Sequence, residues 1–124
     1  MPVIVNGDIM NAEDARAAMV QSGADGVMVG RGAQGRPWLL GKIANDLGFG
    51  SARPDPTKEE IHAVVLEHFD ALLKTYGEGK GVPIARKHLS WYSEGLEGGA
   101  EFRRTINKER GPDQVRCLIS NFFS

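Results

Sequence analysis

The sequence predicts an α/β amino-terminal region followed by an all-α carboxyl-terminal region. Two apolar, valine-rich segments lie one helix apart near the start of the chain, as in a strand–helix–strand unit with parallel strands. After residue 56, apolar residues recur only at helical spacing. Between these patterns lies a stretch that is rich in proline and glycine and has no periodicity. We therefore expect an α/β domain over residues 1–50, a linker over residues 51–56 and a helical domain over residues 57–124.

The α/β domain begins with a strand within residues 1–8. Asn11 is a favourable residue for the N-cap of the helix that follows, and Gly23 suits its carboxyl-terminal end. A second strand is predicted over residues 26–29, and a second helix over residues 37–47. This order predicts two neighbouring parallel strands whose carboxyl ends meet at one edge of a sheet.

A glycine-rich turn follows the second strand and contains Gly30, Gly32 and Gly35. Glycine allows positive φ and close approach of the backbone to a ligand. Backbone N–H groups in such a turn can bind an anion, and Arg31 adds a positive charge. The turn therefore predicts a phosphate site. Two alternatives remain open: the glycines only permit tight packing, or Arg31 pairs with Asp25 or Asp46 at the surface.

The first strand ends in the polar turn Asn6-Gly7-Asp8. Because the two strand ends should meet, we expect Asn6 and Arg31 to line the same site. Asp8 would repel a phosphate, so a hydroxyl or a backbone N–H is its more suitable partner. Alternatively, Asp8 only caps the turn before Asn11.

The helical domain begins with a capping box formed by Thr57 and Glu60. The first helix carries an apolar stripe down to Gly77, formed by Ile61, Val64, Val65, His68, Leu72 and Leu73. Further helices are predicted over residues 82–92 and 100–109 and from residue 111 onwards. Four short helices with short connections are typical of an antiparallel four-helix bundle.

Basic residues in the helical domain form a candidate nucleic-acid surface. The principal candidates are Arg86, Lys87, His88, Arg103 and Arg104. Acidic residues lie between them in the sequence, so an ordinary solvated face of mixed charge is the alternative. Trp91 and Tyr92 could stack on a base, although aromatic residues more often belong to the core.

Composition excludes several other classes of function. The net charge of −1 gives no overall attraction to nucleic acid, so binding would need a local patch. The single cysteine excludes an internal disulfide, and Cys117 lies among apolar residues, where we expect a core position. His62 and His68 lack the spacing of a metal-binding pair. Because the sequence has neither a membrane-spanning run nor a signal peptide, we expect a soluble, cytoplasmic chain. We also expect it to bind no metal, and its oligomeric state stays open.

Four segments of the chain resemble the tRNA-dihydrouridine synthases, in particular their bacterial nitrogen-regulation-locus branch: residues 6–9, 23–38, 86–92 and 102–107. The resemblance implies an enzyme that holds FMN in a TIM barrel and uses NAD(P)H to reduce a uridine of tRNA to dihydrouridine. It implies FMN contacts at Asn6, Gly7, Asp8, Gly30 and Arg31. It also favours tRNA contacts at the five basic candidates in the helical domain.

A complete TIM barrel needs about 250 residues, more than this chain of 124 provides. We therefore expect the last two β/α units of the barrel followed by the helical tRNA-binding domain. The catalytic cysteine of the family lies in a part of the barrel that this sequence does not match, so we expect no catalytic residue here and an inactive chain. The alternative is a stand-alone RNA-binding helical module without redox activity.

Overall fold

The computed structural model describes residues 1–49 and 54–124, which form two compact units, Met1–Asp55 and Pro56–Ser124. Each unit has its own buried apolar residues. Part of the predicted linker, residues 51–53, lies outside the described residues.

The first unit contains the predicted strand–helix–strand arrangement. Its elements are β1 (Ile4–Val5), α1 (Ala12–Ser22), β2 (Gly26–Val27), a 3₁₀ turn (Arg31–Ala33) and α2 (Leu39–Asp46). The strands pair in parallel, with Ile4 opposite Gly26 and Val5 opposite Val27. Both strands are shorter than predicted, and α2 begins at Leu39 rather than Pro37. Among the described residues, no third strand borders the pair. The strands are therefore hydrogen-bonded only to each other, over these short segments.

Helix α1 begins and ends where its capping residues predict. The side chain of Asn11 accepts a hydrogen bond of 2.8 Å from the N–H of Asp14. Gly23 adopts a left-handed conformation with φ of 68°, and its N–H donates to the carbonyl of Met19. Both capping predictions are confirmed.

A small apolar core lies between the helices and the strands of the first unit. Its buried members are Ile9, Ala15, Leu39 and Ile43, with half-buried side chains from α1, β2 and α2 packed around them. The Arg16 guanidinium donates to the carbonyl of Asp46 and so ties α1 to the end of α2. This packing fixes the ends of β1 and β2, where the predicted phosphate site lies.

The second unit consists of α3 (Lys58–Tyr92), α4 (Gly99–Ile106) and α5 (Pro112–Phe123). The capping box of Thr57 and Glu60 is present at the start of α3. Gly77 interrupts α3 with φ of 77° and ψ of 167°, which only glycine adopts readily. The two arms of α3, residues 58–76 and 78–92, then run antiparallel, because Gly81 lies against Leu72 and Leu73. The second arm starts near Gly77 rather than at the predicted residue 82.

One core joins the helices of the second unit. Its buried side chains are Val65, Phe69, Val82, Ala85, Leu89, Tyr92, Phe102, Ile106, Val115, Ile119 and Phe123. Phe69 is fully buried, although the predicted stripe omitted it. The expected core position of Cys117 is wrong, because the residue is exposed. Helix α5 buries Val115, Ile119 and Phe123 at intervals of four, which turns Cys117 away from the core. The arrangement of the helices as a four-helix bundle stays a prediction.

Candidate cofactor and nucleic-acid sites

An open pocket of about 430 Å³ lies where β1 and β2 end. Its lining residues are Asn6, Gly7, Asp8, Met28, Gly30, Arg31 and Gly32. These include all five residues that the sequence selects as cofactor-binding candidates. The parallel pairing of the strands explains this convergence, since both strands deliver their following residues to the same edge of the sheet.

The three glycines of the turn serve different purposes. A Cβ on Gly32 would overlap the carbonyl oxygen of Ile9, so this glycine permits the turn to pack against the segment after β1. Gly35 has φ of 76°, a conformation that disfavours other residues. Gly30 has open space around its Cα and lines the pocket. Tight packing therefore accounts for Gly32, whereas Gly30 leaves room for a ligand.

The backbone of the turn presents hydrogen-bond donors. Within the described parts of the chain, the N–H groups of Gly30, Arg31 and Gly32 donate no hydrogen bond. The Arg36 guanidinium holds the turn in place, because it donates to the carbonyl of Met10 at 2.9 Å and to that of Gly32 at 3.4 Å. Donors without an acceptor beside a pocket can bind an anion.

Arg31 and Asp8, which both line the pocket, form an ion pair. Arg31 Nη2 lies 3.1 Å from Asp8 Oδ1, and the two side chains are 83% and 84% exposed. The surface pairs considered for Arg31 do not form. The Asp25 carboxylate instead accepts from the N–H of Val3 at 2.9 Å. Such an exposed pair contributes little stability, so a stronger partner can replace it.

Arg86 and Arg103 are held inside the second unit. The Arg86 guanidinium donates to the carbonyl of Glu109, and its Nε is buried without a partner among the described residues. Arg103 Nη1 donates to the carbonyl and the hydroxyl of Ser93, at 3.0 and 3.1 Å. Ser93 is fully buried at the end of α3. These two arginines therefore connect α3 to the segment 99–109.

Lys87 and Arg104, the sequence neighbours of these arginines, are exposed. Arg116, a further basic residue of the unit, pairs with Asp70 at 2.6 Å and with Asp113 at 3.2 Å. Of the five basic candidates, Lys87 and Arg104 are thus the two whose side chains are exposed.

His88 belongs to a half-buried cluster between the two arms of α3. Its ring centroid lies 4.5 Å from that of His68, and His68 Nδ1 lies 3.0 Å from the hydroxyl of Tyr92. Burial lowers the pKa of both histidines, and the charge of His68 lowers the pKa of His88 further. Burial also raises the pKa of Tyr92 to about 12. Sequence reasoning missed this cluster, because His68 and His88 meet only through the reversal at Gly77.

Residues 1–49 and 54–124 contain neither a candidate metal site nor a candidate membrane-spanning helix. No group of three or more His, Cys, Asp or Glu side chains in these ranges is placed to hold a metal ion. No helix there is long and apolar enough to cross a membrane.

Comparison with known proteins identifies the family. A dihydrouridine synthase (Dus) family model matches residues 1–122. The chain is 49% identical over 124 residues to a probable tRNA-dihydrouridine synthase of Rickettsia bellii, covering 100% of this chain and 38% of the relative. It is 41% identical over 123 residues to tRNA-dihydrouridine synthase B of Xanthomonas axonopodis, covering 99% of this chain and 37% of that protein. The chain thus spans less than two-fifths of the length of these relatives, and it belongs to the dihydrouridine synthase family.

Proposed function

We propose that this chain is the part of an FMN-dependent tRNA-dihydrouridine synthase that holds the flavin phosphate and contacts tRNA. The observation that carries the proposal is the pocket at the ends of β1 and β2, which gathers Asn6, Gly7, Asp8, Gly30 and Arg31. FMN, when bound, would supply hydride transfer to a uracil of tRNA, with NAD(P)H as the reductant. The residues of this chain would bind and orient its phosphate end.

The lining of the pocket fits a phosphate ester. The Arg31 guanidinium, the Asn6 side-chain amide and the N–H groups of the turn are hydrogen-bond donors, which phosphate oxygens require. The Asp8 carboxylate is an acceptor and suits a ribityl hydroxyl. Charge and hydrogen-bonding capacity therefore match the polar end of FMN.

The pocket offers little to the ring of a flavin. Met28 is the one large apolar side chain among its lining residues, and it is 52% exposed. Cofactor pockets gain much of their affinity from apolar walls around the ring. We therefore expect this chain alone to bind FMN weakly, through the phosphate. We also assign no catalytic residue to it, because the sequence around Cys117 does not resemble that of the family's catalytic cysteine.

The second unit is proposed to contact tRNA through its exposed cations. Lys87 and Arg104 would meet phosphates, whereas Arg86 and Arg103 would hold the helices that carry them. The alternative, an RNA-binding helical module without a redox role, is favoured by one observation: the second unit has its own cap and its own core. The two proposals differ in whether the pocket of the first unit binds FMN.

A nuclear magnetic resonance titration of the chain with FMN and riboflavin tests the phosphate site. FMN should shift the amide signals of Gly30, Arg31 and Gly32, and riboflavin, which lacks the phosphate, should leave them unchanged. Equal responses to both ligands, or responses confined to other residues, would contradict the proposed site. A tRNA titration in the same protein then tests the second unit separately.

A further inference from the structure

Arg31, the cation that a phosphate would bind, already forms an ion pair with Asp8. The two side chains come from different strand ends and meet 3.1 Å apart beside the pocket. Both are more than four-fifths exposed, so the bulk solvent already satisfies much of their charge. A ligand phosphate can therefore displace Asp8 from Arg31 without unfolding any part of the core.

Displacement leaves the Asp8 carboxylate next to the incoming anion. An ionised carboxylate accepts hydrogen bonds and cannot donate them, so it repels phosphate oxygens at this distance. A free phosphate dianion brings no donor for Asp8. A phosphate ester of a polyol brings hydroxyl groups within a few bonds of the phosphorus atom, and a hydroxyl can donate to the carboxylate.

We propose that Asp8 is a specificity-determining residue that makes the pocket select polyol phosphate esters over inorganic phosphate. It does so by competing for Arg31 and by accepting a hydrogen bond from a hydroxyl of the ester once the phosphate has displaced it from Arg31. The inference rests on the proposed phosphate site and adds a class of ligand that the site rejects. Asp8 acts here as a filter, whereas Arg31 and the turn supply the attraction.

Phosphorus NMR line broadening measures the selectivity with two probes, inorganic phosphate and ribitol 5-phosphate. Ribitol 5-phosphate carries the hydroxyls without the flavin ring, so the missing apolar wall does not affect the comparison. The chain is compared with Asp8→Asn, with Arg31→Gln and with the control Asp55→Asn. Asp55 forms an exposed pair of 3.2 Å with Lys42 in the same unit, so its substitution removes an equal charge away from the pocket.

The unmodified chain should bind ribitol 5-phosphate more tightly than inorganic phosphate. Asp8→Asn should strengthen inorganic phosphate binding by about three- to tenfold, as expected for relief of repulsion near an exposed site. It should leave ribitol 5-phosphate unchanged or weaken it, so the preference falls. Arg31→Gln should weaken the binding of both ligands, and Asp55→Asn should change the affinity for neither.

The outcomes separate the filter from the site itself. If Asp8→Asn strengthens the binding of both ligands equally, or if Asp55→Asn gives the same gain in phosphate affinity, the effect of Asp8 is one of general charge. Either result would overturn the filter. If Arg31→Gln weakens binding while Asp8→Asn changes nothing, the phosphate site stands and the filter fails. If Arg31→Gln has no effect on either ligand, or neither probe binds the unmodified chain, the proposed phosphate site fails, and the filter with it.

Discussion

The glycine turn of the first unit and the basic segments of the second unit differ in how well neighbours in the sequence predict neighbours in space. In the turn, residues adjacent in sequence stay adjacent at one pocket, because a parallel pair of strands delivers both loops to one edge. In the helices, adjacent basic residues separate, so that Arg86 and Arg103 donate to backbone carbonyls of their own unit while Lys87 and Arg104 are exposed to solvent. Successive helical residues point about 100° apart, so a run of charges on a helix cannot form one surface.

The two regions also hold their functional groups with different strength. The pocket residues are largely exposed, and their one ion pair is weak. The second unit fixes Arg86 and Arg103 to backbone carbonyls, and Arg103 donates to the buried Ser93. Substitutions at the pocket should therefore change ligand binding, and substitutions at the fixed arginines should change stability. The backbone position Gly32 is the exception, because it lies at the pocket and against the core.

The largest effect is expected for Gly32→Ala. The added methyl group would overlap the carbonyl of Ile9, which is buried backbone and cannot move without disturbing the core of the first unit. We expect a loss of roughly 2–3 kcal/mol in the free energy of unfolding, typical of overpacking. The matched control is Gly41→Ala in α2 of the same unit, whose new Cβ meets no atom within 4 Å. Urea unfolding of both variants measures the difference, and similar losses in the two would contradict the close approach at Gly32.

The next effect in size is the loss of stability in Arg103→Ala. This change removes the donor to Ser93 at the buried end of α3 and leaves its carbonyl and hydroxyl without that partner. We expect a loss of about 1–3 kcal/mol, as for a buried hydrogen bond to a charged donor. Arg104→Ala, one residue away and exposed, should lie within about 0.5 kcal/mol of the parent. Thermal unfolding of the pair decides the matter, and equal midpoints would show that Arg103 does not stabilise α3.

A smaller effect is expected on tRNA binding. Replacing Lys87 and Arg104 together by alanine should weaken binding and flatten the dependence of affinity on salt by up to about one unit for each lost phosphate contact. Arg86, the neighbour of Lys87, is left unchanged in this test, since its guanidinium donates to a carbonyl of its own unit. Titrations at several salt concentrations measure the slope. An unchanged slope with a folded double variant would remove these residues from the tRNA surface.

Local signals in the sequence predicted the fold better than contacts between distant segments. Asn11, Gly23 and the capping box at Thr57 mark helix ends correctly, because caps depend on residues within one turn. The pocket was predictable from the parallel pairing alone.

The misplaced residues all depend on packing between elements. Phe69, which the predicted stripe omitted, is buried, and Cys117, expected in the core, is exposed. Arg86 donates to the carbonyl of Glu109 through a contact that no local pattern encodes. The lengths of the two strands were overestimated for the same reason, since the length of a strand depends on the strands beside it.

The smallest effect is a loss of stability in mild acid, caused by the burial of His68 and His88 and, for His88, also by the charge of His68 beside it. Burial lowers the pKa of both histidines below the usual 6.5, so the unfolded chain takes up protons first as the pH falls. Stability should be complete above pH 6.5 and should decrease as the pH falls from 6.5 through the lowered values. Below those values both states are protonated and the decrease should stop.

Two histidine variants separate this contact from general acid sensitivity. His68→Gln removes one member of the pair and the repulsion on the other, so it should reduce the slope of the urea midpoint against pH below 6.5. The control His62→Gln removes a histidine that lies within 3.4 Å of Ser120 and outside the cluster, and it should leave the slope unchanged. If the two variants lose the same slope, the acid sensitivity does not arise from the His68–His88 contact.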